Sequence, residues 1–186
     1  MKNLFVFLAF LLFISSCNKT QDEHKKVPLK IENSTPKKLP TKNILVVAAM
    51  KKHGPEISPT YEKAVCTELV IQIIEKIQPL EEIDKKRIRI ITEENIQESL
   101  EENSPLPKGV FYALTEKGIG VAVKKEEVIE GDFVQFWTET WGHCGVVKSI
   151  NLDKKEMELY SSFPSTKGYG IQKFSIPEHV FFVRLK

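Results

Sequence analysis

The chain has 186 residues, with 27 Lys and Arg against 25 Asp and Glu, a formal net charge of +2 and three cysteines. That near-balance offers no strongly basic footprint for nucleic acid, and so few cysteines exclude a disulfide-built scaffold. From residue 43 onward the chain is long enough for one domain with a real core, and short for two.

At the N-terminus Lys2 supplies a positive charge and Leu4 to Ile14 form an unbroken apolar run. The run is short for a bilayer-spanning helix and suits the apolar region of a secretory signal. It ends in Ile14-Ser15-Ser16-Cys17, which resembles the bacterial lipobox: a branched apolar residue, two small ones, then cysteine. The resemblance implies that residues 1–17 are a lipoprotein signal and that Cys17 carries the lipid. Several acyl chains hold a protein on a membrane where one does not. Asn18 stands where aspartate favours inner-membrane retention in many Gram-negative bacteria, so an outer-membrane address is expected. Residues 18–42 mix Lys, Glu, Asn, Ser and Thr with three prolines and show no helix or strand period. Such a segment buries too little to offset its ordering entropy, and a flexible, mixed-charge linker is expected.

The single domain is expected over 43–186. Asn43 to Met50 reads either as a buried strand or as the first turns of a helix. His53-Gly54-Pro55 and Ser58-Pro59-Thr60 are breakers, and the second is expected to start a helix over 59–78. Val65, Leu69, Val70, Ile73, Ile74 and Ile77 recur at three- and four-residue intervals, which puts one face of that helix in the core. Cys66 lies on it, and Pro79 stops it. A charged segment, 81–89, leads to an expected strand at 88–91 and a short acidic surface helix over 92–102. From Gly109 onward the period becomes that of strands. Residues 118–123 read as a strand or a Gly-hinged loop; 133–137, 142–150 and 156–161 read as antiparallel strands, with a turn at 151–154. A closing strand falls within 176–185. Helices first and a sheet after is the α+β pattern.

Cys66 on the helix and His143, 77 residues later on a strand, are the pair that carries chemistry. A thiol is a neutral-pH nucleophile when a helix start or an imidazolium stabilises its thiolate. The imidazole then returns the proton to the leaving amine. Taken alone, Cys66 also reads as a small buried apolar residue, and His143 as a structural histidine. Cys144 is expected on the opposite face of the pleat from His143, in the core. That alternation, and the lack of a fourth ligand, argue against zinc.

Glu130-Gly131-Asp132-Phe133-Val134-Gln135-Phe136-Trp137 followed by Gly142-His143-Cys144-Gly145-Val146-Val147 resembles the signature of the NlpC/P60 and CHAP cysteine peptidases and amidases. Cys66-Thr67-Glu68-Leu69-Val70 is similar to their nucleophile motif. The resemblance spans about 60–175. It implies a papain-like fold, Cys66 as nucleophile, His143 as base, and hydrolysis of amide bonds, most often in peptidoglycan stem peptides. It also implies a polar residue that orients the histidine, at a position that falls here on Ser161, and a tyrosine near the nucleophile, for which Tyr61 is the candidate. Two departures stand out. Val65 replaces the usual acidic residue before the cysteine, and Ser161 is a weaker partner for imidazolium than a carboxylate. Trp141, before Gly142, is expected to line the cleft. No metal or organic cofactor is implied; the expected partners are an amide substrate and, through the lipid on Cys17, a membrane, with the protein a monomer. The alternatives are a non-catalytic wall- or protein-binding lipoprotein on the same fold, and a structural Cys66–Cys144 disulfide.

Overall fold

A computed structural model describes residues 39–186. The expected signal, the lipidation site at Cys17 and most of the expected linker lie outside these residues. The apolar run at 43–50 belongs to helix α1, Thr41–Ile57, which buries Asn43, Val46, Val47, Met50 and Gly54 along one stripe. His53-Gly54-Pro55 does not break it. Pro55 sits in its last turn, where the missing N–H costs a single hydrogen bond, and Gly54 lies flat against the ring of Tyr169.

The helix expected over 59–78 is shorter and starts later. It is α2, Cys66–Glu75, with Leu69, Val70, Ile71, Ile73 and Ile74 buried. The reason is local: the Ala64 carbonyl, which a helix from Pro59 would use internally, instead accepts from the hydroxyls of Ser58 (2.7 Å) and Ser162 (2.6 Å). Those hydroxyls are themselves 2.7 Å apart. Val65 is then extended, and the helix opens at Cys66. The charged segment is helix α3, Glu82–Arg89, closed at its start by the Glu81 N–H donating to Asp84 (2.9 Å). It replaces the strand expected at 88–91: Ile88 is buried, Ile90 turns the chain left-handed at φ 53°, and Ile91 is exposed. The acidic stretch holds α4, Ile96–Glu101. After a short 3-10 turn comes α5, Gly109–Glu116, where a strand period was expected. Val110, Ala113 and Leu114 are its buried face, and so short an apolar run fits either period.

Six antiparallel strands follow: β1 Gly120–Val123, β2 Phe133–Trp137, β3 Gly142–Asn151, β4 Glu156–Phe163, β5 Gly168–Ser175 and β6 His179–Leu185. They lie in the order β1-β6-β2-β3-β4-β5. The fold of the described residues is therefore α+β, with five α-helices and one antiparallel sheet among them. β5 has no counterpart in the sequence reading, because its glycines and exposed polar residues hide the alternation.

The two sheet faces build two cores. Phe133, Cys144, Val146, Tyr160, Val183 and Leu185 meet α1, α2 and α5. Val134, Phe136, Val147, Met157, Leu159, Phe174 and Phe182 form the other. Phe136 on β2 and Phe174 on β5 are three strand spacings apart, ~14 Å in a flat sheet, yet their ring centroids are 5.3 Å apart. The sheet is thus curled strongly enough to bury its own concave face.

Asp132, part of the Gly-Asp pair in the sequence signature, is structural. Its fully buried carboxylate accepts from Arg184 Nε and Nη2 (both 2.7 Å), Asn43 Nδ2 and the Ile129 N–H (both 2.9 Å). It ties α1 and β6 to the entry of β2. Gly131, at φ 91°, lets the chain turn hard against Asn43, whose backbone leaves no room for a Cβ.

Candidate functional site

Cys66 is the first residue of α2. Val65 has no side-chain group to cap the helix, so the first-turn N–H groups and the positive end of the dipole stay available at the sulfur. Val65, which departs from the acidic residue that the resemblance implies before Cys66, thus leaves that helix end uncapped.

The sulfur stands at the end of β2 and the start of β3. Cys66, Gln135, Trp137, Gly142, His143 and Cys144 line one cleft of about 240 Å³, with Arg89 and Thr92 on its other wall. Cys66 is half-buried, whereas Cys144 is fully enclosed, and both are free thiols. Alternation places Cys144 on the face toward the helices and His143 on the concave face, as expected. Cys66 meets both because it sits where the strand begins.

Cys66 is held well below the ordinary cysteine range. The Cys144 thiol, hydrogen-bonded to it, contributes most; burial opposes the shift; the His143 imidazole and the Cys144 backbone N–H reinforce it. Cys144 is pushed well above the ordinary range by the same contact with Cys66 and then by burial. The two thiols thus divide: the accessible one is the easier to ionise and the enclosed one the harder.

Glu68 follows on the same helix turn, but Arg89 holds it in a two-pronged pair at 2.6 and 3.0 Å. Arg89's hydrogen bond keeps the Glu68 carboxyl below the usual carboxylate range. The pair limits the negative charge facing the sulfur.

His143 is buried among Phe163 and Phe174 (ring centroids 5.0 Å each), Phe136 (5.7 Å) and Trp141 (6.4 Å). Its Nε2 is enclosed and makes no hydrogen bond among the described residues, and the same holds for Ser161 Oγ. Ser161 does lie on the concave face. A Cβ on Gly145 would stand 3.1 Å from that of Ser161, so the serine is opposite Gly145 and diagonal to His143. The expected imidazole–Ser161 hydrogen bond is not made. Packing of aromatic rings, rather than a third polar residue, fixes the orientation of His143. Ser162, its neighbour, is the serine with a structural bond. Ser161→Ala is accordingly expected to leave the Cys66 alkylation rate within about twofold and stability unchanged or raised by about 1 kcal/mol, because an unpartnered buried hydroxyl carries a desolvation penalty that alanine lacks. Thiol labelling and thermal melts check this; a large drop in labelling would restore Ser161 to the expected role.

Tyr61 does not line the Cys66 cleft and has no side-chain hydrogen bond among the described residues. Its phenol is raised by burial and then by the thiols of Cys66 and Cys144 nearby. Trp141 lines a neighbouring cleft of about 550 Å³, with Gln97, Thr138 and His179, rather than the cleft of Cys66. Trp137 borders both clefts, and its Nε1 donates to the Pro107 carbonyl at 2.6 Å.

Sequence reasoning missed Gln135. It is buried opposite Cys144 on β2, in the wall of the cleft, and its Oε1 has no partner among the described residues. The signal was a lone amide inside the apolar string Phe133-Val134-Gln135-Phe136-Trp137. Among the described residues, no group of three or more His, Cys, Asp or Glu is placed to hold a metal ion, and no helix is long and apolar enough to cross a membrane. No protein family, curated protein or solved structure matches the chain.

Proposed function

We propose that this domain is a papain-like cysteine hydrolase of the NlpC/P60 and CHAP kind that cleaves amide bonds in peptidoglycan stem peptides, held at the bacterial envelope through a lipid on Cys17. One observation carries the reading: an accessible cysteine at an uncapped helix start shares an open cleft with the imidazole of His143.

The chemistry follows from those parts. The Cys66 thiolate attacks the amide carbonyl carbon, and the developing oxyanion is met by N–H groups of the first turn of α2. The His143 imidazolium gives its proton to the departing amine. The acyl group is left on Cys66 as a thioester. Water, deprotonated by the now neutral imidazole, then releases the acid. The clefts that meet at Trp137 suit an extended chain lying across both, with the scissile bond at the smaller one. The wall as substrate rests on the lipobox resemblance, which would keep the domain beside peptidoglycan.

A second reading, a binding module on the same scaffold, is favoured by the unpartnered His143 Nε2 and Ser161 Oγ, since an unassisted imidazole stabilises its cationic form less. Incubation of the full chain with purified peptidoglycan separates the two. The hydrolase releases soluble peptides with new amine and carboxylate ends, and Cys66→Ala does not. Binding without release, unchanged in Cys66→Ala, sinks the hydrolase reading.

A further inference from the structure

Cys144 is a second thiol that forms no covalent bond in the hydrolytic mechanism, yet it lines the same cleft as the one residue the mechanism depends on. It lies on the α2-facing side of β3, in the same core as Phe133, Val146 and Tyr160. Cys144 and Cys66 both line the same cleft. Their exposure differs in the sense that matters: Cys66 is reachable from the cleft, and Cys144 lies wholly enclosed behind it.

We propose that Cys144 is a resolving cysteine, which captures oxidised Cys66 as an intramolecular Cys66–Cys144 disulfide and so closes the site reversibly. The inference rests on Cys66 being the reactive thiolate of the proposed function, and it adds the regulation of that site. With hydrogen peroxide as oxidant the steps balance. The Cys66 thiolate attacks one peroxide oxygen, the O–O bond breaks, and Cys66 becomes a sulfenic acid as hydroxide leaves and takes up a proton. The Cys144 sulfur then attacks the Cys66 sulfur; the S–O bond breaks, the Cys144 proton goes to the departing hydroxyl, and water leaves. Two thiols are oxidised by two electrons and one peroxide is reduced to two waters. A dithiol reductant reverses the state by attacking the accessible Cys66 sulfur, with Cys144 as leaving group. The gain is protection: a sulfenic acid with a thiol beside it is diverted from sulfinic acid, which is irreversible without a dedicated repair enzyme.

The test treats the reduced full chain with hydrogen peroxide and maps its peptides without reduction. The expected product is a peptide pair joined through Cys66 and Cys144, and dithiothreitol restores alkylation of Cys66. In Cys144→Ala the pair is absent, and recoverable Cys66 alkylation after the same treatment falls by about tenfold or more, the thiol having passed to sulfinic acid. Sulfinic Cys66 beside a free Cys144 in the parent, or a link through Cys17 or to a second molecule, overturns the proposal. Should Cys144→Ala fail to fold, Cys144→Val takes its place, and the cross-linked peptide of the parent decides by itself. None of these readouts requires cleavage. Cross-linking without peptidoglycan digestion would remove the hydrolase reading alone, and digestion without cross-linking would remove this one alone.

Discussion

Cys66→Ala is expected to slow release of soluble peptides from purified peptidoglycan by ~10³-fold or more, while the unfolding midpoint moves by no more than about 2 °C. The effect on rate is large because the thioester cannot form without the sulfur, and no other group in the cleft takes its place: Cys144 is enclosed and its thiol is pushed well above the ordinary range. The effect on stability is small because Cys66 is half-buried at the edge of the core, where an alanine leaves little new cavity. Cys66→Ser is expected to be nearly as slow, since a hydroxyl ionises far less readily than a thiol in the same surroundings. Product release measured by chromatography, beside thermal melts, checks both halves. Activity retained in the alanine variant would end the nucleophile assignment.

Asp132→Ala is expected to have the largest effect on stability, about 3 kcal/mol for breaking an ion pair with one fully buried member. For a domain of this size that corresponds to a fall of roughly 6–12 °C in the melting midpoint. The substitution removes the acceptor for four donors at once. Arg184 would keep its bond to the Glu127 carbonyl (2.8 Å), and Asn43 its bond to the Glu130 carbonyl (2.9 Å), but the Ile129 N–H would have no acceptor left. The arginine's charge, now stabilised chiefly by the Asp132 hydrogen bonds, would be left without its counter-ion. Calorimetry of the variant tests this; a midpoint within about 2 °C of the parent would show that the Gly-Asp pair is not the structural clamp described.

The fold class and the strands around the site were legible in the sequence, and the helical half was misread in instructive places. β2, β3 and β4 announce themselves by alternation and by the Asn151–Lys154 turn, where the Lys154 N–H donates to Asn151 Oδ1 at 3.0 Å. α5 did not, because Gly109 to Leu114 is too short and too evenly apolar to reveal its period. The start of α2 was unreadable for another reason. It is set by Ser162, almost a hundred residues away, reaching the Ala64 carbonyl, and no local pattern encodes that contact. The site shows the same division. Cys66 and His143 stood out by residue type, and the structure brings them to one cleft. Ser161 was chosen by position and proved to have no partner, because the concave face encloses His143 in aromatic rings from β2, β4 and β5. The weight of Phe174 in that enclosure was invisible while β5 itself was unread. The inertness expected of Cys144 held for its burial but not for its surroundings. Alternation turned it from His143 and, by the same step, toward Cys66.

The central claim is that Cys66 and His143 act as one acid–base pair, and the pH profile of Cys66 alkylation tests it most directly. A thiol lowered in the folded protein is already thiolate where free cysteine is protonated, and it loses reactivity only as pH falls through the lowered value. The Cys66 rate, read by peptide mapping after brief iodoacetamide treatment, should therefore stay high at mildly acidic pH. In His143→Ala the profile should move upward, with the rate at neutral pH about tenfold lower or more. A parent profile that coincides with unfolded cysteine, or one that His143→Ala leaves in place, would contradict the pairing.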